Sequence, residues 1–318
     1  IWTTRYATHH FDRQNEADRR RELDLMPPTF RFDYFLVLLF RLHQRDVAKW
    51  TLEALQDVAG EQAPPPEEPL HQGERYAQAA RERLAGWSFD DYLHYMDAIF
   101  AFFGSRGSRN LKSACCYKRS LAFHERSEAD ARRAFVRLMD RVIEAGEPAE
   151  DHAEDLATFE DFAFFRAVEL ARQRGWTFVQ IHSGHRNGNE EIARPALLDE
   201  LIGRFPDVTF APLHGGKRFY EDVVDLAERH ENVLLDFTWL PIVAPELGEK
   251  AARRFLQTHP WRTAAGLDMA NVEGSAGMSD RLRDLLARLL GEQVDAGAVD
   301  IDTAVRIATS VLHDAPRR

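Results

Sequence analysis

Residues 177–182 read Thr177-Phe-Val-Gln-Ile-His182, a short β-branched and apolar run that ends on an imidazole. That composition suits a strand buried on both faces of a parallel sheet. The same pattern returns downstream in Val208-Thr-Phe-Ala-Pro-Leu-His214, Val233-Leu-Leu-Asp236-Phe and Thr263-Ala-Ala-Gly-Leu-Asp268. Between and beyond these runs the periodicity predicts helices over 195–204, 219–229, 246–258, 279–290 and 302–312. Upstream, Ser88 is placed to cap a helix carrying Phe89, Tyr92, Tyr95, Met96, Ile99 and Phe103 on one side, ended by Gly104 and Gly107. An extended run, Leu111 to Tyr117, precedes helices predicted at 127–145 and 157–174. Thr29 to Phe35 alternates as an earlier strand would, although a helix fits there nearly as well. Strands alternating with helices make βαβ units and a parallel sheet, either doubly wound or closed into a (β/α)8 barrel.

The chain has 318 residues, 44% of them hydrophobic and 29% charged, enough to bury a sizeable core. We read 1–318 as one domain, with a helical and loop excursion around 40–87 that includes the exposed Pro-rich stretch 63–69. The net charge of −11 argues against nucleic acid as a partner. No apolar run approaches the ~18 residues of a membrane span, so no membrane partner is expected. The two cysteines, Cys115 and Cys116, are adjacent, which rules out a disulfide framework and favours a reducing, cytoplasmic compartment.

Polar residues at the strand ends narrow the choice of fold and function. His182 and His214 close two successive strands, and Asp268 closes a third after one intervening strand. A barrel or open α/β sheet builds its site at these C-terminal ends. Two imidazoles and a carboxylate suit a divalent metal. One such histidine alone would ordinarily be a packed or hydrogen-bonded side chain; three such residues in register are hard to explain by packing.

Those three residues, in Ile-His-Ser-Gly-His, Leu-His-Gly-Gly and Gly-Leu-Asp, resemble the ligands of strands 5, 6 and 8 in the amidohydrolase superfamily. Leu111-Lys112-Ser113 and Tyr117-Lys118-Arg119-Ser120-Leu121 resemble the strand 4 segment of its amidohydrolase-related branch, which includes the domain fused to glutamine synthetase in some fungi and plants. The resemblance covers about residues 88–290. It implies a (β/α)8 TIM-like barrel with one divalent ion, zinc favoured and manganese or iron as alternatives, a second ion being left open. It also implies a small-molecule substrate and pairing into a homo-oligomer. The family's first strand ends in a His-x-His pair that is not found in this sequence; His9-His10 read as a loop. We expect the pair to lie upstream of Ile1, the alternative being its loss.

With such a site the resemblance implies that His182, His214 and Asp268 hold the metal, which lowers the pKa of a water. Asp268 takes and passes on the proton, and His214 helps to stabilise tetrahedral charge. Lys112, Tyr117, Arg119 and His185 are the substrate-binding candidates. Lys112 either binds a substrate carboxylate or, as in some branches of the superfamily, is carbamylated to bridge two metals; its place at the start of the 111–117 run counts against bridging, and it could also point to solvent. Arg119 offers a planar fork for a carboxylate, or makes an ordinary surface ion pair. His185 lies on the loop after His182, where plain exposure is the competing reading. Asp236 and Trp239 follow a strand and can line the pocket, Asp236 mainly as a structural hydrogen-bonding group. Cys115 and Cys116 should alternate across a strand, so that only one faces inward.

The expected activity is hydrolysis of an amide, ester or lactone of a small carboxylated substrate. The same ligands would serve a decarboxylase or a uronate-isomerase-like enzyme. A catalytically degenerate barrel acting as a binding or regulatory protein is the reading of another class.

Overall fold

The computed structural model describes residues 29–60, 72–184, 188–269 and 272–314. Six parallel strands follow one another in chain order: β1 (Thr29–Arg31), β2 (Asn110–Ser113), β3 (Phe178–His182), β4 (Thr209–Leu213), β5 (Leu235–Asp236) and β6 (Thr263–Ala264). β1 to β4 form one ladder, and β5 pairs with β6. Val233, just before β5, bridges in parallel to Phe210 of β4, which joins the two ladders into one wall. The helices between them are α1 (Arg45–Ala59), α2 (Gln72–Leu84), α3 (Phe89–Ser105), α4 (Glu128–Leu138), α5 (Ala153–Gln173), α6 (Asp199–Arg204), α7 (Tyr220–Arg229) and α8 (Pro245–Thr258). After β6 come α9 (Val272–Asp295) and α10 (Ile301–Thr309). This is α/β architecture of the (β/α)8 type. The excursion after β1 is a helical pair, α1 and α2; the Pro-rich stretch 63–69 lies outside the described residues.

The strands divide the apolar residues into two sets. Val179, Ile181, Phe210 and Leu235 point outward into the main core beneath the helices. Phe178, Ala211, Leu213, Leu234 and Ala264 form a separate small cluster on the inner side. The period of two then places Gln180 and His182 on the inner side with Phe178. On the outer side Phe30 of β1 stacks on Phe103 of α3, with ring centroids 4.3 Å apart. α3 starts where the sequence places it: the Ser88 hydroxyl accepts from the Asp91 amide, and the Asp91 carboxylate accepts from the Ser88 amide. Together they form a capping box.

Two expected strands are shorter than the sequence suggests, for one shared reason. The buried Asp33 carboxylate accepts from the Ala114 amide at 2.6 Å and from the Ser113 hydroxyl at 3.3 Å. That amide is thereby withdrawn from the ladder, so β2 ends at Ser113 and does not run on to Tyr117. β1 ends at Arg31, and a wide helical turn over Asp33–Val37 brings Asp33 into place. Cys115 and Cys116 therefore do not alternate across a strand: they share one 3-10 turn, Cys115–Tyr117, and both are buried. α9 begins at Val272, seven residues before its predicted start at 279. Gly274, Ser275 and Gly277 have weak helix propensity and hide that first stretch.

Candidate active site

His182 is the last residue of β3, and His214 follows the last residue of β4. Because His182 is paired in register with Leu213, the two imidazoles emerge side by side. His182 Nδ1 lies 3.0 Å from His214 Nε2. On the far side, His214 Nδ1 lies 3.1 Å from the Thr238 carbonyl oxygen, and His182 Nε2 lies 2.9 Å from the Tyr117 hydroxyl. A carbonyl only accepts, so His214 carries its proton on Nδ1 and presents a lone pair at Nε2. His182 Nδ1–H then donates to His214, and the Tyr117 hydroxyl donates to His182 Nε2. Both imidazoles are buried.

Asp268 follows β6, and its Oδ2 lies 3.9 Å from His214 Nε2. Its side chain is 56% exposed, at the open end of the same arrangement. Asp236, the last residue of β5, is buried; it accepts from the Thr238 hydroxyl at 2.7 Å, the Thr238 amide at 3.0 Å and the His214 amide at 3.3 Å. Burial raises its carboxyl to about 6, although those hydrogen bonds pull the other way. The Thr238 hydroxyl also accepts from the Gly266 amide at 2.6 Å, tying the loop that carries Asp268 to β5. A Cβ at 266 would stand 2.9 Å from that hydroxyl, so the approach suits glycine.

Backbone strain collects at the same place. Among the described residues the non-glycine positions with positive φ are His214, Lys217, Trp239 and Asp268, at 64°, 52°, 67° and 47°. Each follows the end of β4, β5 or β6. Side chains with a Cβ are held in this region at a cost, typically where function demands it.

Among the described residues no three His, Cys, Asp or Glu side chains form a ready-made metal cluster. The donors nevertheless fit one ion with a small adjustment. A tetrahedral ion bound at about 2.1 Å by two imidazoles needs their nitrogens about 3.4 Å apart, a few tenths of an ångström more than the distance here. His214 already has the tautomer a ligand needs, fixed by the Thr238 carbonyl. His182 reaches it by moving its proton to Nε2, facing the Tyr117 oxygen. Asp268 adds a carboxylate at the rim.

Residues 120–265 match the sequence profile of the amidohydrolase family. By that match this chain is similar to the amidohydrolase family over its central part. Protein fluG of Emericella nidulans is 25% identical over 216 residues, which are 65% of this chain and 25% of that protein. The chain thus spans about a quarter of the curated relative it matches. Among solved structures, a uronate isomerase from Thermotoga maritima superposes with a TM-score of 0.67 at 13% identity, over 94% of this chain and 63% of that one. A protein from Lactobacillus casei described as a metal-dependent hydrolase gives a TM-score of 0.57 at 12% identity, over 92% of this chain and 66% of that one. At these identities the likeness is one of fold alone.

A cavity of about 240 Å³ opens beside the strand ends, lined among others by Lys112, Gln180, Asp236, Thr238, Asp268 and Arg283. Lys112 is the next-to-last residue of β2, not the start of a longer strand, and it is buried facing this cavity, not solvent. Burial is the main cause that lowers its ammonium to about 8. Tyr117 reaches the site through His182. Arg119 corrects the expectation of a substrate fork: its buried guanidinium lies 3.3 Å from Glu160 and 2.7 Å from Asp161, both on α5, and also donates to the Ala122 carbonyl. His185 lies outside the described residues. Burial pushes the Cys115 thiol well up, so no thiolate is available there near neutrality. Gln180 and Thr238 were not singled out from the sequence. Gln180 carried a usable signal, a polar side chain two positions before His182 on the same face of an apolar strand. No helix among the described residues is long and apolar enough to cross a membrane.

Proposed function

We propose that the protein is a metal-dependent hydrolase of the amidohydrolase type, acting on an amide, ester or lactone of a small carboxylated molecule. The observation that carries this reading is the approach of His182 and Asp268, from two other strand ends, to 3.0 and 3.9 Å of the same His214 nitrogen. His182 Nδ1, His214 Nε2 and the Asp268 carboxylate would hold one divalent ion, zinc by the chemistry of the donor set. When bound, such an ion supplies Lewis acidity, polarising a carbonyl and making water more acidic. Asp268, exposed at the rim, accepts the proton of the attacking water and returns it to the leaving group. Thr238 holds His214 in the required tautomer, and Tyr117 holds His182. The free, buried Cys115 and Cys116 suit a cytoplasmic setting.

The test is elemental analysis of the full chain before and after chelation, with hydrolysis assays on N-acyl amino acids, carboxylated esters and lactones, and a uronate sugar as comparison. Stoichiometric divalent metal, with hydrolysis lost on chelation and restored by zinc, is the expected result. Purification without metal, and indifference to chelator, would overturn the reading in favour of a binding or regulatory barrel.

A further inference from the structure

Two polar side chains of the cavity are more than nine-tenths buried. Lys112 and Gln180 are each 7% exposed, and both line the cavity. Neither makes a hydrogen bond or ion pair among the described residues. They are register partners across β2 and β3, so their side chains leave the wall next to each other. Their polar ends open into the cavity, where no protein group meets them. Two such ends side by side, facing one small cavity, describe a site built for something that supplies the missing acceptors.

We propose that Lys112 and Gln180 together form the seat of the substrate's carboxylate, on the cavity floor below His182. Lys112 supplies the charge, and the Gln180 amide supplies a second, directional donor to the other oxygen. Gln180 is two residues before His182, so the seat lies about 7 Å further down the strand than the metal-competent rim. The carboxylate enters first, and the reacting bond is left at the rim. Asp236 and Asp268 line the same cavity, as does Arg283, so an anion is accepted where the two cations offset the carboxylates, and Lys112 is the buried one of the pair. Which bond reacts rests on the hydrolase reading above; the seat itself does not.

The experiment is calorimetric titration of the full chain, as purified and after chelation, with acetate, succinate and glutarate and with the matching neutral amides. Binding of at least one carboxylate in both preparations, about tenfold or more tighter than its amide, is expected. Lys112→Met and Gln180→Leu should each weaken it at least tenfold, and His182→Ala should leave it in place. Gln180→Glu keeps the size of the side chain but sets a carboxylate beside Lys112; it should abolish anion binding with an unchanged unfolding midpoint, which separates a lost seat from a lost fold. Failure of all three carboxylates to bind, equal affinity for the amides, or full binding by folded Lys112→Met and Gln180→Leu would each overturn the seat. Protein that purifies without any divalent metal and still binds carboxylate would sink the hydrolase reading alone.

Discussion

His214 Nε2 faces His182 Nδ1 across 3.0 Å, and each ring is held from its far side, His214 by the Thr238 carbonyl and His182 by the Tyr117 hydroxyl. The pair is thereby oriented before any ion arrives. His182→Ala should lower the zinc content of the purified chain well below one equivalent. Tyr117→Phe should leave the ligands present but weaken zinc about tenfold, as loss of a partner behind a ligand does. Competition with a chromophoric chelator measures both, and full zinc occupancy in His182→Ala would reject ligation.

Asp268→Asn should cut turnover by about a hundredfold or more, the scale of lost acid–base work. With 56% of the side chain exposed, its thermal midpoint should stay close to that of the parent. Steady-state rates on a substrate found by the screen test this, and unchanged turnover would remove Asp268 from the mechanism.

Arg119 bridges Glu160 and Asp161, while Arg41 holds Glu160 and Arg126 holds Asp161 from the other sides. Arg119→Met should cost about 3 kcal/mol in urea unfolding, because it leaves buried carboxylates undercompensated. KM should change little. A large rise in KM with stability intact would restore Arg119 as a substrate contact.

A Cβ on Gly184, where φ is +66°, would fall 2.0 Å from the Gly216 carbonyl oxygen. Gly184→Ala should therefore destabilise the fold by several kcal/mol, or prevent it from accumulating, by forcing apart the loops after β3 and β4. Gly277 in α9 has nothing within 4 Å of its Cβ position, and Gly277→Ala should stabilise by up to about 1 kcal/mol. Urea midpoints of the two variants should move in opposite directions.

Lys112 is held at about 8 by burial, against 10.5 when exposed; Asp268 and Asp236 raise it, Arg31 lowers it, and Cys116 faces it as well. The native state therefore binds fewer protons than the unfolded chain between these values, and parent stability rises with pH across them. Lys112→Met should be more stable than the parent by on the order of 3 kcal/mol below pH 8, and the difference should fade towards pH 10.5. Unfolding curves from pH 6 to 10.5 measure this, and a pH-independent difference would refute the burial argument.

His182, His214 and Asp268 were legible because each is a polar residue ending an apolar run, a local pattern. Most helices were legible for the same reason, Ser88 and its capping box being one example. The end of β2 was not, because it depends on Asp33, some eighty residues away in the chain. Arg119 misled for a similar cause: Glu160 and Asp161 look like ordinary helix carboxylates until the fold buries them beside it. β5 and β6 came out shorter than their apolar runs because side chains and loops take over the ladder there, as when the Thr238 hydroxyl accepts from the Gly266 amide. Gln180 passed as one more strand residue, since its lack of a partner shows only in three dimensions.

Phe178, Ala211, Leu213, Leu234 and Ala264 line the interior as a cluster detached from the main core. Exchanging one of these five for a larger or smaller neighbour alters what the lumen admits while the helix-covered shell keeps its packing. Descendants of such a barrel can change diet without first becoming fragile.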